Sequence, residues 1–283
     1  MKRRRFGATG IDFPVVGQGT WDMPESGAAA EDARRAIRQG IDLGMNHIDT
    51  AEMYGAGRVE ELLGTALRGV PRESYLIATK VLPSNASYRG TLEAAERSIA
   101  RLGCGHLDLF LLHWPGTHPL AETMRAFDDL VAQGKTRFVG VSNFEADDML
   151  EAQSYLRSTR LACNQVLYHL CERGVEHELI PAAREHGIAI VAYTPFGRGR
   201  FLSSSVARRD LLARIARKHA ATQHQVALAF LTRHQEVFTI PKAARVAHVE
   251  ENAEAGALEL DATDLAEIDA AFSRGSAGPL ATL

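Results

Sequence analysis

Residues 91–142 read TLEAAERSIARLGCGHLDLFLLHWPGTHPLAETMRAFDDLVAQGKTRFVGVS. Leu92, Ala95, Ile99 and Leu102 share one face of a helix over Thr91–Leu102, and Gly103 supplies the stop. The run Leu107–His113 is short, apolar and non-alternating, as a strand buried on both faces should be. A second amphipathic helix is predicted over Leu120–Gln133, with Leu120, Met124, Phe127, Leu130 and Val131 on its apolar face and Gly134 after it. Phe138–Ser142 then reads as another buried strand. Helices alternating with doubly buried strands are the unit of a parallel sheet covered by helices.

The alternation extends in both directions. Further strands are predicted at Val15–Gly19, His47–Asp49, Tyr75–Thr79, Leu161–Gln165, Ala189–Tyr193 and Val237–Ile240. Composition does not shift along the 283 residues and no linker divides them, so one α/β domain over 1–283 is expected. Eight β/α alternations without a second-domain signal favour a closed (β/α)8 TIM barrel over an open doubly wound sheet. Residues 3–14 read as an N-terminal β-hairpin around Ala8-Thr9-Gly10 that plugs the barrel bottom. Extra helices are expected within residues 194–236, after the seventh strand, and at the C-terminus over Thr263–Phe272.

Composition narrows the function classes. Net charge is -3, with no basic stripe beyond Lys2–Arg5, which argues against a nucleic-acid partner. Gly7, Thr9, Gly10 and Asp12 interrupt any apolar core of a signal peptide, and no run of about 18 apolar residues exists, so no membrane span is expected. Cys104, Cys163 and Cys171 form no CxxC and read as free buried thiols in a reducing cytoplasm. Glu176-His177-Glu178 is not a metal motif, no metal is expected, and the helix beginning near Gly174 reads as charged surface.

What ends each strand carries the functional signal. In order come Trp21, Asp49, Lys80, His113, Ser142-Asn143, Gln165, Tyr193 and Lys242. Barrel enzymes build their sites at that carboxyl-terminal rim. Polar loops alone account for a Ser or an Asn there, but less well for Asp, Lys and His on three consecutive strands.

Around the second strand stands Asn46-His47-Ile48-Asp49-Thr50-Ala51-Glu52-Met53-Tyr54-Gly55. With Gly17–Trp21, Lys80, His113-Trp114-Pro115, Gly140–Phe144, Asn164-Gln165, Tyr193–Gly197, Ile240-Pro241-Lys242 and Glu251-Asn252, this ordered set resembles the aldo-keto reductase superfamily over nearly the whole chain. Gly17-Gln18-Gly19-Thr20-Trp21 and Lys242-Ala243-Ala244 look most like small bacterial members of the methylglyoxal and diketo-gluconate reductase type. The resemblance implies NADPH-dependent reduction of a small aldehyde, ketone or dicarbonyl. It assigns Tyr54 as proton donor, Lys80 as the cation that lowers its pKa, Asp49 as the group holding Lys80, and His113 as the orienter of the carbonyl.

The cofactor has no GxGxxG to hold it, so the rim must do so. By resemblance Ser142, Asn143 and Gln165 bond the carboxamide, Tyr193 stacks on the ring, and Gly19, Thr20, Trp21 and Ile240 add rim contacts. Thr194, Pro195, Phe196, Gly197, Arg198 and Gly199 line the pyrophosphate, with Arg198 or Arg200 adding charge, and Lys242 meets the 2′-phosphate. Glu251 and Asn252 contact adenine. Ala243 stands where a Ser or Thr is common and His248 where an Arg is common, with Arg245 placed to compensate, so NADH use is left open. Trp21, Tyr54, His113 and Trp114 form the substrate pocket, and the short tail implies an open site.

Three other readings stay open. One is a non-catalytic NADP(H)-binding barrel subunit, and another an isomerase or aldolase using Lys80 as a Schiff base. The third is a keto-sugar acid reductase. The expected partner is a small carbonyl substrate, and the chain is expected as a monomer or weak homo-oligomer.

Overall fold

The computed structural model describes residues 1–203 and 205–283; Ser204 and the Arg200 side chain lie outside the described residues. Two short strands, β1 (Arg3–Arg5) and β2 (Asp12–Pro14), pair antiparallel. Eight more form one parallel sheet in chain order: β3 (Gln18–Gly19), β4 (His47–Asp49), β5 (Leu76–Val81), β6 (Leu107–Leu112), β7 (Thr136–Ser142), β8 (Leu161–Leu167), β9 (Ala189–Tyr193) and β10 (Val237–Thr239). The sheet curls until its ends meet, because Val16 bridges Thr239 and Gly19 bridges Lys242, both parallel. Gly19 is required at that seam: a Cβ there would lie 2.5 Å from the Ile240 carbonyl oxygen.

Helices α1 (Gly27–Asp42), α2 (Arg58–Ala66), α3 (Tyr88–Leu102), α4 (Leu120–Ala132), α5 (Ala146–Tyr155) and α6 (Leu179–His186) cover the outside. After β9 come α7 (Arg200–Ser203), α8 (Val206–Lys218) and α9 (Gln223–Leu231), and after β10 come α10 (Val246–Ala255) and α11 (Ala262–Ala271). The eight parallel strands and the extra helices match the barrel read from the sequence. Helix α3 ends on Gly103 at φ 61, whose N–H returns to Ile99 at 2.9 Å, as its glycine stop requires.

Two apolar layers follow from strand alternation. Ile48, Ile77, Phe110 and Val166 point outward to helices. Leu76, Ala78, Leu109, Leu111, Cys163, Val191 and Phe238 fill the interior. The hairpin closes the bottom: Phe6 and Phe13 stack at 3.9 Å between centroids, and Phe6 meets Phe238 edge-on at 4.9 Å.

Two expectations need correction. The segment from Gly174 is a 3-10 turn followed by α6, and its acid is not surface charge. Glu176 is buried and accepts from Tyr168 Oη at 2.6 Å and Arg173 Nε at 2.7 Å, with Arg233 2.9 Å away. A turn motif cannot reveal that cations 3 and 57 positions distant converge on it. Of the cysteines, Cys104 and Cys163 are buried but Cys171 is exposed. No helix among the described residues is long and apolar enough to cross a membrane, and none of their His, Cys, Asp and Glu clusters could hold a metal ion.

Candidate active site

The strand register assembles the rim. Gly19 lies beside Asp49, Asp49 beside Ala78, Lys80 beside Leu111, Ser142 beside Gln165, and Leu167 beside Tyr193. Asp49, Lys80 and His113 thus emerge from neighbouring strands onto one floor. Lys80 is fully buried; its Nζ donates to Asp49 Oδ2 and to the Thr50 carbonyl, both at 2.7 Å. Asp49 Oδ1 accepts from Gln165 Nε2 at 2.7 Å, and the Thr20 hydroxyl holds the Asp49 carbonyl at 2.8 Å. A buried ion pair needs such extra partners to offset desolvation.

Tyr54 stands on the loop after β4, with Lys80 Nζ 5.2 Å from its ring centre. Burial raises the Tyr54 phenol above its usual value; Lys80 pulls it back and Asp49 adds to the rise. The resemblance implies a pKa lowered by Lys80, but desolvation outweighs that charge. The phenol therefore keeps its proton at neutral pH. Burial works to lower the Lys80 ammonium, but Asp49 and Tyr54 outweigh it and the net shift is upward. His113 stands edge-on to Tyr54 at 5.9 Å. Burial, then the Lys80 charge, push its pKa down to about 2, so it is a neutral imidazole. Its buried Nδ1 has no hydrogen-bond partner among the described residues.

A cavity of about 400 Å³ opens above this floor. It brings together Asp49, Tyr54 and His113 with Gly19, Thr20, Trp21, Trp114, Ser142, Asn143, Gln165, Tyr193, Thr194, Pro195, Phe196, Arg198, Ile240 and Lys242. Lys80 lies beneath it. Asn143 Nδ2 reaches the His113 carbonyl at 3.2 Å, Tyr193 Oη donates to Asn143 Oδ1 at 2.9 Å, and Ser142 Oγ donates to the Gln165 carbonyl at 2.8 Å. Among the described residues no group donates to Gln165 Oε1. Arg198 lies over the Trp21 ring at 4.8 Å, across the mouth. Five of the six non-glycine residues with positive φ among the described residues are on these loops: Asp22, Ala56, Asn143, Thr194 and Arg198. Such strain concentrates where a site must be held in shape.

The other expected contacts stand outside the cavity. Gly197 and Gly199 flank Arg198 but do not line it, and neither do Ala243, Arg245, His248, Glu251 and Asn252. Arg245 is turned to His248 at 2.6 Å, and Glu251 accepts from the Thr222 hydroxyl at 2.6 Å. Three residues missed by sequence reasoning do line it: Asp22, Met53 and Leu283. Leu283 alters the expectation of an open site, because the tail folds back over the barrel. On the way the Leu280 N–H meets Glu145 at 2.5 Å. Met53 was signalled by its place beside Tyr54; nothing in the sequence linked residue 283 to the rim. Glu52, in the same run as Tyr54, braces the site from behind. Its buried Oε1 accepts from the Leu82 N–H at 2.7 Å and Asn85 Nδ2 at 2.9 Å, tying the Tyr54 loop to the strand of Lys80.

The model of the Aldo/keto reductase family matches residues 15–272. A methylglyoxal reductase of Escherichia coli is 41% identical over 262 residues, covering 93% of this chain and 92% of its own length. A glyoxal reductase of Bacillus subtilis is 34% identical over 272 residues, covering 95% and 93%. An aldo/keto reductase from Klebsiella pneumoniae, crystallised with NADP and acetate, superposes with a TM-score of 0.93 at 38% identity, covering 100% of this chain and 99% of that one.

Proposed function

Because the chain belongs to the aldo/keto reductase family, we propose that it reduces small aldehydes, ketones or dicarbonyls of the methylglyoxal kind to alcohols, with NADPH as reductant and Tyr54 as proton donor. The observation that carries the reading is the convergence of Tyr54, Lys80, Asp49 and a neutral His113 at the floor of one cavity.

The donor set fits a nicotinamide dinucleotide. Near the floor, Ser142, Asn143 and the unengaged Gln165 Oε1 suit a carboxamide, and the Tyr193 ring offers a flat face. At the other end Lys242 offers a cation to a phosphate. When bound, the cofactor supplies the hydride. The chain's own residues do the rest. Tyr54 holds its proton at Oη until the carbonyl oxygen becomes basic. The buried Lys80 then stabilises the tyrosinate left behind, and Asp49, steadied by Gln165, keeps Lys80 charged and in place. His113, neutral at working pH, donates a hydrogen bond to the same oxygen without competing for the proton. Trp21, Trp114 and Met53 give the cavity mouth apolar walls.

The test is a panel of carbonyls and alcohols assayed with NADPH and with NADH. Turnover of methylglyoxal and simple aldehydes with NADPH is expected. Activity confined to steroids, or tight NADPH binding without turnover of any carbonyl, would contradict the reading. The second outcome would favour a non-catalytic cofactor-binding barrel.

A further inference from the structure

Three left-handed residues follow Tyr54: Gly55 (φ 57), Ala56 (φ 53) and Gly57 (φ 93). L-residues visit this region singly, and Ala56 has a Cβ to accommodate, so surrounding contacts must hold the turn. Behind it, Gly57 packs under Arg101, whose Nε pairs with buried Glu60 at 2.6 Å. Glu60 in turn accepts from the Thr79 hydroxyl at 2.6 Å, beside Lys80 on β5. In front, the Glu25 carboxylate lies so close to Gly55 that any Cβ there would collide with it. Its other oxygen accepts from Nε of Arg58, the first residue of α2.

Glu25 belongs to the segment between β3 and α1, which also carries Trp21 and Asp22 into the cavity. We propose that Glu25 is a positioning residue: packed on Gly55 and paired with Arg58, it fixes the left-handed turn and thereby the placement of the Tyr54 hydroxyl relative to Lys80. The inference rests on Tyr54 being the proton donor. The Glu25 and Arg58 side chains are 32% and 60% exposed, and pairs this accessible add little to folding stability. Losing the pair should therefore register in the chemical step rather than in melting. A displacement of about 1 Å at a reacting group is enough to slow catalysis by up to roughly 100-fold.

The test is a double-mutant cycle on the full chain, with methylglyoxal as probe. Glu25→Ala and Arg58→Ala should each lower kcat about tenfold, with KM and the NADPH Kd changed by less than about twofold. The double variant should lose no more than either single one, because both remove one interaction. Glu25→Gln, which keeps an oxygen acceptor for Arg58, should recover most of the rate. A Glu25→Ala kcat within about twofold of wild type, losses that multiply in the double variant, or a rate loss accompanied by a large fall in melting temperature would overturn the proposal. If the wild type turns over no carbonyl, the proposed function fails, and amide exchange still decides this point. Faster exchange at Ala56 and Gly57 in Glu25→Ala supports the positioning role, and unchanged exchange overturns it.

Discussion

Replacing Lys80 with Met separates what the buried cation does for chemistry from what it does for folding. Its Nζ lies 5.2 Å from the Tyr54 ring centre. A tyrosinate carries its charge mainly at Oη, which is hydrogen-bonded to Lys80; even at the ring-centre distance and an effective dielectric of about 20, one charge stabilises it by about 3 kcal/mol, or roughly 200-fold in rate if proton transfer is well advanced in the transition state. The same change strands Asp49, which is 2% exposed and loses its 2.7 Å ion pair. Breaking a buried pair from one side costs about 3–5 kcal/mol, which should lower the melting temperature by on the order of 10 °C. The double variant Asp49→Asn with Lys80→Met removes both charges and should regain much of the stability but none of the rate. The assays are steady-state reduction of methylglyoxal at saturating NADPH and thermal melting of the three proteins. A Lys80→Met enzyme within about fivefold of wild type in kcat, or a double variant recovering rate and stability together, would refute the electrostatic role.

Three further outcomes follow from the site. His113 is held near pKa about 2 by burial and Lys80, and Tyr54 is raised, so kcat/KM for reduction should show no inflection near about 6.5 and should fall only above about pH 10; a neutral-pH inflection that vanishes in His113→Gln would contradict this. Lys242→Met should raise KM for NADPH by roughly 10- to 100-fold and leave NADH unchanged, as loss of a charge-assisted contact requires; equal effects on both cofactors would remove Lys242 from the 2′-phosphate. Burial alone would raise Glu176, but Arg173, Arg233 and Tyr168 win and hold it down to about 2. Its contribution to stability is then full above the ordinary value of 4.5 and lost as pH falls toward about 2, so Glu176→Gln should flatten acid denaturation across that window.

The eight strands were legible because short β-branched stretches recur between helical patterns at regular spacing. The strands His47–Asp49 and Ala189–Tyr193 have the bounds expected for them. The cavity floor was legible because Asp49, Lys80 and His113 are charged or polar groups at or next to the ends of three consecutive expected strands, where the rim can receive them. What stayed hidden depends on approach in space between residues far apart in the chain. Leu283 reaches the cavity from the tail, and Arg233 and Arg173 meet at Glu176. The upward shift of Tyr54 was hidden as well, because it is set by how much water the fold removes and not by which residues are present. The adenosine end is the reverse case. Arg245, His248 and Glu251 are expected there by resemblance alone, and their side chains stand outside the cavity, engaged with one another or with Thr222.

The most direct test is Tyr54→Phe, which removes one hydroxyl and keeps the ring beside His113. Single-turnover oxidation of NADPH by methylglyoxal should fall to background in this variant, while NADPH binding followed by fluorescence stays within about threefold of wild type, since the proposed role of Tyr54 is at the reacting oxygen and not at the dinucleotide. Turnover close to wild type would show that the proton comes from elsewhere and that Tyr54, Lys80 and Asp49 are not the acid machinery of this barrel.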